Sequence, residues 1–140
     1  MLQRDAQRLL KVIDYCQRIG RTVDRYGDSL EHFQKDEDYQ QSVSFSVLQI
    51  GELVNGLSDE FKSETQQEMP WYQIRGMRNI VVHGYGSIDL KMVWGTVKED
   101  IPALEDFCKK QIQKYETTLN TDAGSDSEEV AESIQDVDLK

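Results

Sequence analysis

Apolar residues recur at three- and four-residue steps along most of this chain, the period of helices that turn one side to a core. Between Leu2 and Tyr26 that spacing is kept by Leu2, Leu9, Ile13, Cys16, Ile19 (or Gly20) and Val23, while Arg4, Arg8, Lys11, Asp14, Arg18 and Arg21 occupy the other face. The pattern predicts a long amphipathic helix with a basic outer face, either a solvated surface or part of a nucleic-acid track. Gly27-Asp28 breaks the period, Ser29 can cap a short turn through Phe33, and the stretch KDED interrupts again. His32 reads as a surface residue, because nothing beside it has metal-ligand spacing. A second main helix is predicted from about Asp38 to Leu57, with Tyr39, Val43, Ser46, Ile50, Leu53 or Val54, and Leu57 turned inward. Ser44, Ser46 and Gly51 are small enough to let a neighbouring helix approach. Glu52 follows, and the pattern leaves open whether it faces solvent or a site.

Ser58 can cap a turn over Asp59 to Lys62, and SETQQEM reads as a polar connection. The segment from Pro70 to Tyr85, PWYQIRGMRNIVVHGY, then gathers most of the residues suited to chemistry. Proline tolerates a helix's first turn and Gly84 is placed to end one, so a helix from about Trp71 to His83 is expected, with Tyr85 just beyond. Ile74, Met77 and Val81 would face the core; Tyr72, Arg75, Asn79 and His83 form a second, polar stripe. Arg78 and His83 lie about 140° apart on an ideal helix. They share a site only if Arg78 reaches around or the last turn loosens. After GYGS, Ser87 or Asp89 caps a final helix with an apolar side of Met92 or Val93, Val97, Ile101, Leu104, Phe107 or Cys108, Ile112 (or Gln111), Tyr115 and Leu119. Pro102 falls inside that helix and should kink or restart it near Asp100.

The 140 residues suit one all-α domain, and no internal repeat is visible. The formal charge of −10 is unevenly spread: from Thr117 to Lys140 seven acids face one base, which leaves −4 for the body. A local RNA-binding surface is therefore compatible with the composition. Residues 1–116 read as the folded domain and residues 117–140 as an acidic, disordered tail. Val130, Ile134 and Val137 keep helical spacing, which would suit a short helix folding on a partner. Cys16 and Cys108 have no close-spaced partner and read as small core residues in a reducing compartment. The opening MLQRDAQRLLK lacks a signal-peptide pattern, and no apolar run approaches the roughly 20 residues of a bilayer span. A cytoplasmic protein is expected.

Arg78-Asn79-Ile80-Val81-Val82-His83-Gly84-Tyr85 reads R-N-x-x-x-H-x-Y and resembles the R-x4-H-x-Y signature of the HepT-like toxins, a branch of the HEPN superfamily of small helical ribonucleases. QIGELVNGLSDEF before it, Trp71 and Ile74, and SIDLKMVW after it are also similar to that family, over roughly Leu9 to Tyr115. The resemblance implies an up-down bundle of four or five helices, a homodimer, and an endoribonuclease neutralised by a nucleotidyltransferase (MNT) antitoxin. It makes Arg78, His83 and Asn79 the catalytic positions and Tyr85 the tyrosine to which the antitoxin attaches AMP. Arg75 has no motif role; its place in the polar stripe makes it a candidate for the RNA backbone.

Metal-free RNA cleavage needs a base for the 2′-hydroxyl, an acid for the leaving 5′-oxygen and a cation for the phosphorane. Histidine and arginine can supply these. One usable histidine per chain makes a symmetric dimer a requirement of that mechanism. No metal or other cofactor is expected: two isolated histidines do not suggest a metal centre, and GYGS lacks the lysine and preceding strand of a phosphate-binding loop. No serine or cysteine lies near a histidine in a nucleophile motif. Without the resemblance, His83 would read as a histidine at a helix C-terminus. A non-catalytic HEPN module that binds a nucleotidyltransferase or nucleotide is the alternative.

Overall fold

A computed structural model describes residues 1–82 and 89–122. Among them the chain is helical without strands: α1 (Gln3–Tyr26), α2 (Leu30–Lys35), α3 (Glu37–Asn55), α4 (Asp59–Thr65), α5 (Trp71–Arg75), α6 (Met77–Val82), α7 (Leu90–Gly95), a π-helical turn (Thr96–Asp100) and α8 (Ile101–Asp122). The all-α bundle expected of a HEPN protein is thus observed.

Each boundary has a local cause. Helix α1 stops at Gly27, whose N–H reaches the Val23 carbonyl and whose φ of 118° is a conformation that favours glycine. Ser29 Oγ accepts from the His32 N–H to start α2, and the Asp36 carboxylate accepts from the amides of Asp38 and Tyr39 to start α3. Ser58 caps α4 through the Phe61 N–H at 3.1 Å. That helix runs to Thr65, past the expected end at Lys62 and into the stretch expected to be a polar connection. Asp89, one of the two expected caps, caps α7 through the Met92 N–H.

The restart anticipated at Pro102 takes the form of the π turn. Proline would collide with the carbonyl four residues back in a regular helix, and the wider turn ending at Asp100 relieves that conflict before α8 begins. Helix α8 continues to Asp122, beyond the expected boundary at Thr117.

The core is a three-helix packing of α1, α3 and α8. Leu9, Val12, Ile13, Cys16 and Ile19 meet Val43, Val47, Ile50 and Val54 of α3 and Leu104, Cys108 and Ile112 of α8, all buried. Cys16 and Cys108 are therefore core residues, as the pattern suggested, and burial raises both thiol pKa values. Of the alternatives the pattern left open, Ile19, Val54, Val93 and Ile112 turn inward, and Phe107 and Cys108 both do. Leu2 was expected to face the core but is 48% exposed, because it precedes the first helical turn in extended conformation.

Two aromatic clusters close the ends of the core. Tyr26, Phe33, Tyr39 and Trp94 pack at one, with centroids 5.0–6.2 Å apart in the contacting pairs. Phe61, Trp71 and Phe107 form the other. Trp71 Nε1 also donates to Thr65 Oγ1 at 2.8 Å, and Thr65 Oγ1 donates to the Phe61 carbonyl. The start of α5 is thereby tied to α4 and α8.

One buried polar device was not anticipated. Asp5, fully enclosed in the first turns of α1, accepts from the Ser58 N–H at 2.8 Å and from Ser58 Oγ at 2.6 Å. The residue that caps α4 is therefore itself held by α1.

Candidate functional site

The segment expected to be one helix from Trp71 to His83 is two pieces joined at Gly76. Glycine is a poor helix former. Here its N–H bonds to the Tyr72 and Gln73 carbonyls and its carbonyl takes the Asn79 N–H at 2.9 Å, so the chain tightens and restarts. Ile74 and Met77 are buried as the apolar stripe requires, and Tyr72, Arg75 and Asn79 are exposed.

Arg78 stands where α6 comes close to α3 at Gly51. A Cβ built on Gly51 would lie 2.9 Å from the Arg78 Cβ, 3.0 Å from its N and 3.1 Å from its Cα. Only a residue without a side chain lets the two backbones come this near, which fulfils the expected packing role of Gly51. The next residue, Glu52, turns its carboxylate to the arginine: Arg78 Nε meets Glu52 Oε1 at 2.5 Å. Both side chains are about half exposed, at 46% and 47%. The pair is thus anchored at its base by helix packing and open to solvent at its tip. A guanidinium has five N–H donors, and the contact through Nε uses one side of the fork. Donors remain for the oxygens of a phosphate.

Arg75 lies one turn earlier, with its guanidinium carbon 5.7 Å from the centre of the Tyr72 ring. Arg75, Arg78 and Asn79 are all exposed on α5 and α6, and Glu52, whose orientation the helical pattern left open, pairs with Arg78. The tandem of Gly51 and Glu52 was the available signal: a small residue for contact, then a carboxylate one step around the helix. The expectations for His83 and Tyr85 fall outside the described residues. Among the described residues no group of three or more His, Cys, Asp or Glu side chains is placed to hold a metal ion, and no helix is long and apolar enough to cross a membrane.

The all-α bundle of the described residues agrees with the HEPN class. Residues 12–111 match the ribonuclease HepT-like family, and the chain belongs to that family. Among similar proteins, one from Caldanaerobacter subterraneus subsp. tengcongensis, provisionally named an RNase, is 36% identical over 88 residues, covering 63% of this chain and 78% of the relative. A probable ribonuclease HepT of Thermococcus cleftensis is 31% identical over 101 residues, covering 66% and 87%. A Methanocaldococcus jannaschii protein, also provisionally named an RNase, is 31% identical over 90 residues, covering 58% and 78%. No solved structure matches the chain.

Proposed function

We propose that this protein is a metal-independent endoribonuclease toxin that acts as a homodimer and is silenced when a partner nucleotidyltransferase of the MNT type attaches AMP to Tyr85. The observation that carries the reading is the Glu52-held Arg78 at the solvent edge of α6, on a chain that belongs to a ribonuclease family.

In the proposed reaction a neutral imidazole of His83 takes the proton of the RNA 2′-hydroxyl. The 2′-oxygen forms a bond to phosphorus as the bond from phosphorus to the 5′-oxygen breaks. The His83 of a second copy, protonated, gives its proton to that leaving oxygen. The products are a 2′,3′-cyclic phosphate and a 5′-hydroxyl. Arg78 offsets the negative charge that grows on the non-bridging oxygens, where fixed charge in a partly desolvated site is most effective. Glu52 keeps the guanidinium from sampling other rotamers, so its orientation is set before substrate arrives. Asn79 adds a polar group beside Arg78, and Arg75 offers a second cation to the RNA backbone. AMP on Tyr85, two residues from His83, would exclude substrate phosphate by volume and charge.

Purified protein should cleave single-stranded RNA in the presence of a chelator, and Arg78→Ala and His83→Ala should each abolish cleavage. Intact RNA with the unmodified wild-type protein would leave the non-catalytic binding module as the reading. Co-expression with the nucleotidyltransferase should raise the intact mass by one or more AMP units, and Tyr85→Phe should not be modified. An unchanged wild-type mass beside an active partner would refute the regulatory half.

A further inference from the structure

We infer that Tyr72, Lys62 and Arg75 form a nucleotide subsite beside Arg78, in which a base of single-stranded RNA stacks on the Tyr72 ring while its phosphates meet the two cations. The proposal rests on the ribonuclease reading for its ligand, and on separate residues for its geometry.

A single exposed aromatic residue needs no explanation. Tyr72 is distinguished by its setting. Its neighbours Trp71 and Ile74 are buried at 7% and 5% exposure, whereas Tyr72 stands out at 81%. Two hollows of about 330 and 170 Å³ adjoin it, and Lys62, Trp71 and Tyr72 line both. Arg75 and Val54 complete the smaller one. No carboxylate is among the described residues lining either hollow, so a phosphate would meet cations without a competing acid.

The walls are stiff. Trp71 is hydrogen-bonded to Thr65 of α4 and packed against Phe61 and Phe107, which fixes α4 and α5 relative to each other. Lys62 makes a long bond of 3.5 Å to the Asn55 carbonyl, and its ammonium has three donors. The Arg75 guanidinium already lies against the Tyr72 ring, an arrangement of aromatic face and cation that takes any base without regard to its identity.

The position also suits a substrate that continues to the arginine. Tyr72 and Arg75 lie on α5, which leads through Gly76 directly into α6 and Arg78. An oligonucleotide with its scissile phosphate at Arg78 would place a neighbouring nucleotide at Tyr72. The subsite therefore predicts a preference for single-stranded over double-stranded RNA, because a paired base cannot leave its stack to lie on the ring.

The test uses the full chain and a labelled 2′-O-methyl oligonucleotide, which cannot be cleaved because it lacks the attacking hydroxyl. Tyr72→Ala should weaken binding by roughly 5- to 150-fold, the range seen for losing one stacked base, and Tyr72→Phe should bind as the wild type does. Lys62→Ala should weaken all sequences alike and lower the salt dependence by about one ion. Equal affinity of Tyr72→Ala and the wild type, or no binding by the wild type, would overturn the subsite and leave the face to a protein partner. Cleavage of unmodified RNA is scored separately: binding without cleavage removes the ribonuclease reading and keeps the subsite, and cleavage with an indifferent Tyr72 does the reverse.

Discussion

Replacing Gly51 with alanine tests whether the approach of α3 to Arg78 governs both stability and catalysis. The added Cβ would sit 2.9–3.1 Å from three Arg78 atoms, two of them backbone. Carbon atoms in ordinary contact are about 3.5–4.0 Å apart, so α6 must retreat by roughly 0.5–1 Å. Such overpacking costs about 1–3 kcal/mol. Alanine is also a better helix former than glycine by about 1 kcal/mol, which offsets part of the loss and leaves a net destabilisation of about 0–2 kcal/mol. Gly20 separates the two effects. It lies on α1 with no atom beyond its chain neighbours and its own helix backbone within 4 Å of an added Cβ, so Gly20→Ala should gain the propensity alone and melt a few degrees higher, about 3 °C for a chain of this size. Gly51→Ala should melt at or below the wild type and cleave RNA about 10- to 100-fold more slowly, because a displacement of about 1 Å at a catalytic group can cost that much. Thermal melts and initial cleavage rates on the two variants decide the matter. If Gly51→Ala is stabilised as much as Gly20→Ala and cleaves at the wild-type rate, the helix approach does not position Arg78.

Further consequences can be measured independently. Glu52→Gln should change stability by less than about 1 kcal/mol, since the pair is half exposed, yet lower kcat about tenfold with little change in KM; faster cleavage would mean that the carboxylate competes with phosphate instead of orienting Arg78. Asp5→Ala removes two hydrogen bonds to a carboxylate and leaves the Ser58 N–H without its acceptor, so urea midpoints should report a loss of about 2–4 kcal/mol. A loss below 1 kcal/mol would show that the link between α1 and α4 is dispensable. The Tyr39 hydroxyl, enclosed in the core and donating to the Gly27 carbonyl, has its pKa pushed up to about 12, by burial first and then by Asp28 and Asp24. The folded state thus holds this proton more tightly than the unfolded state. Its contribution is complete below pH 10, the ordinary tyrosine value, and is lost as pH rises through about 12. Urea titrations should show a steeper alkaline fall in the wild type than in Tyr39→Phe; parallel profiles would exclude Tyr39 as the cause.

Much of this molecule was legible from periodicity and caps, because both act within one or two helical turns. The three-and-four spacing of Leu9, Ile13 and Cys16, the Ser29 and Ser58 caps, and the disturbance before Pro102 are all local events. Family membership was likewise visible in the sequence, in the pattern from Arg78 to Tyr85 taken together with its flanking stretches over roughly Leu9 to Tyr115. The break at Gly76 was missed because a regular stripe from Ile74 to Val81 says nothing about how tightly the backbone turns between its members.

What tertiary structure alone decided is which residues meet across helices. The sequence placed Gly51 and Glu52 on α3 and Arg78 on its own helix, but helical spacing is blind to the rotation of one helix about another. Only the packing of α3 against α6 turns Glu52 toward the arginine and gives Gly51 its reason. Asp5 and Ser58, 53 residues apart, meet for the same cause, and Lys62 and Tyr72 line the same hollows for it. Helix faces are written in local order, whereas the pairing of faces is settled by the burial of the whole core.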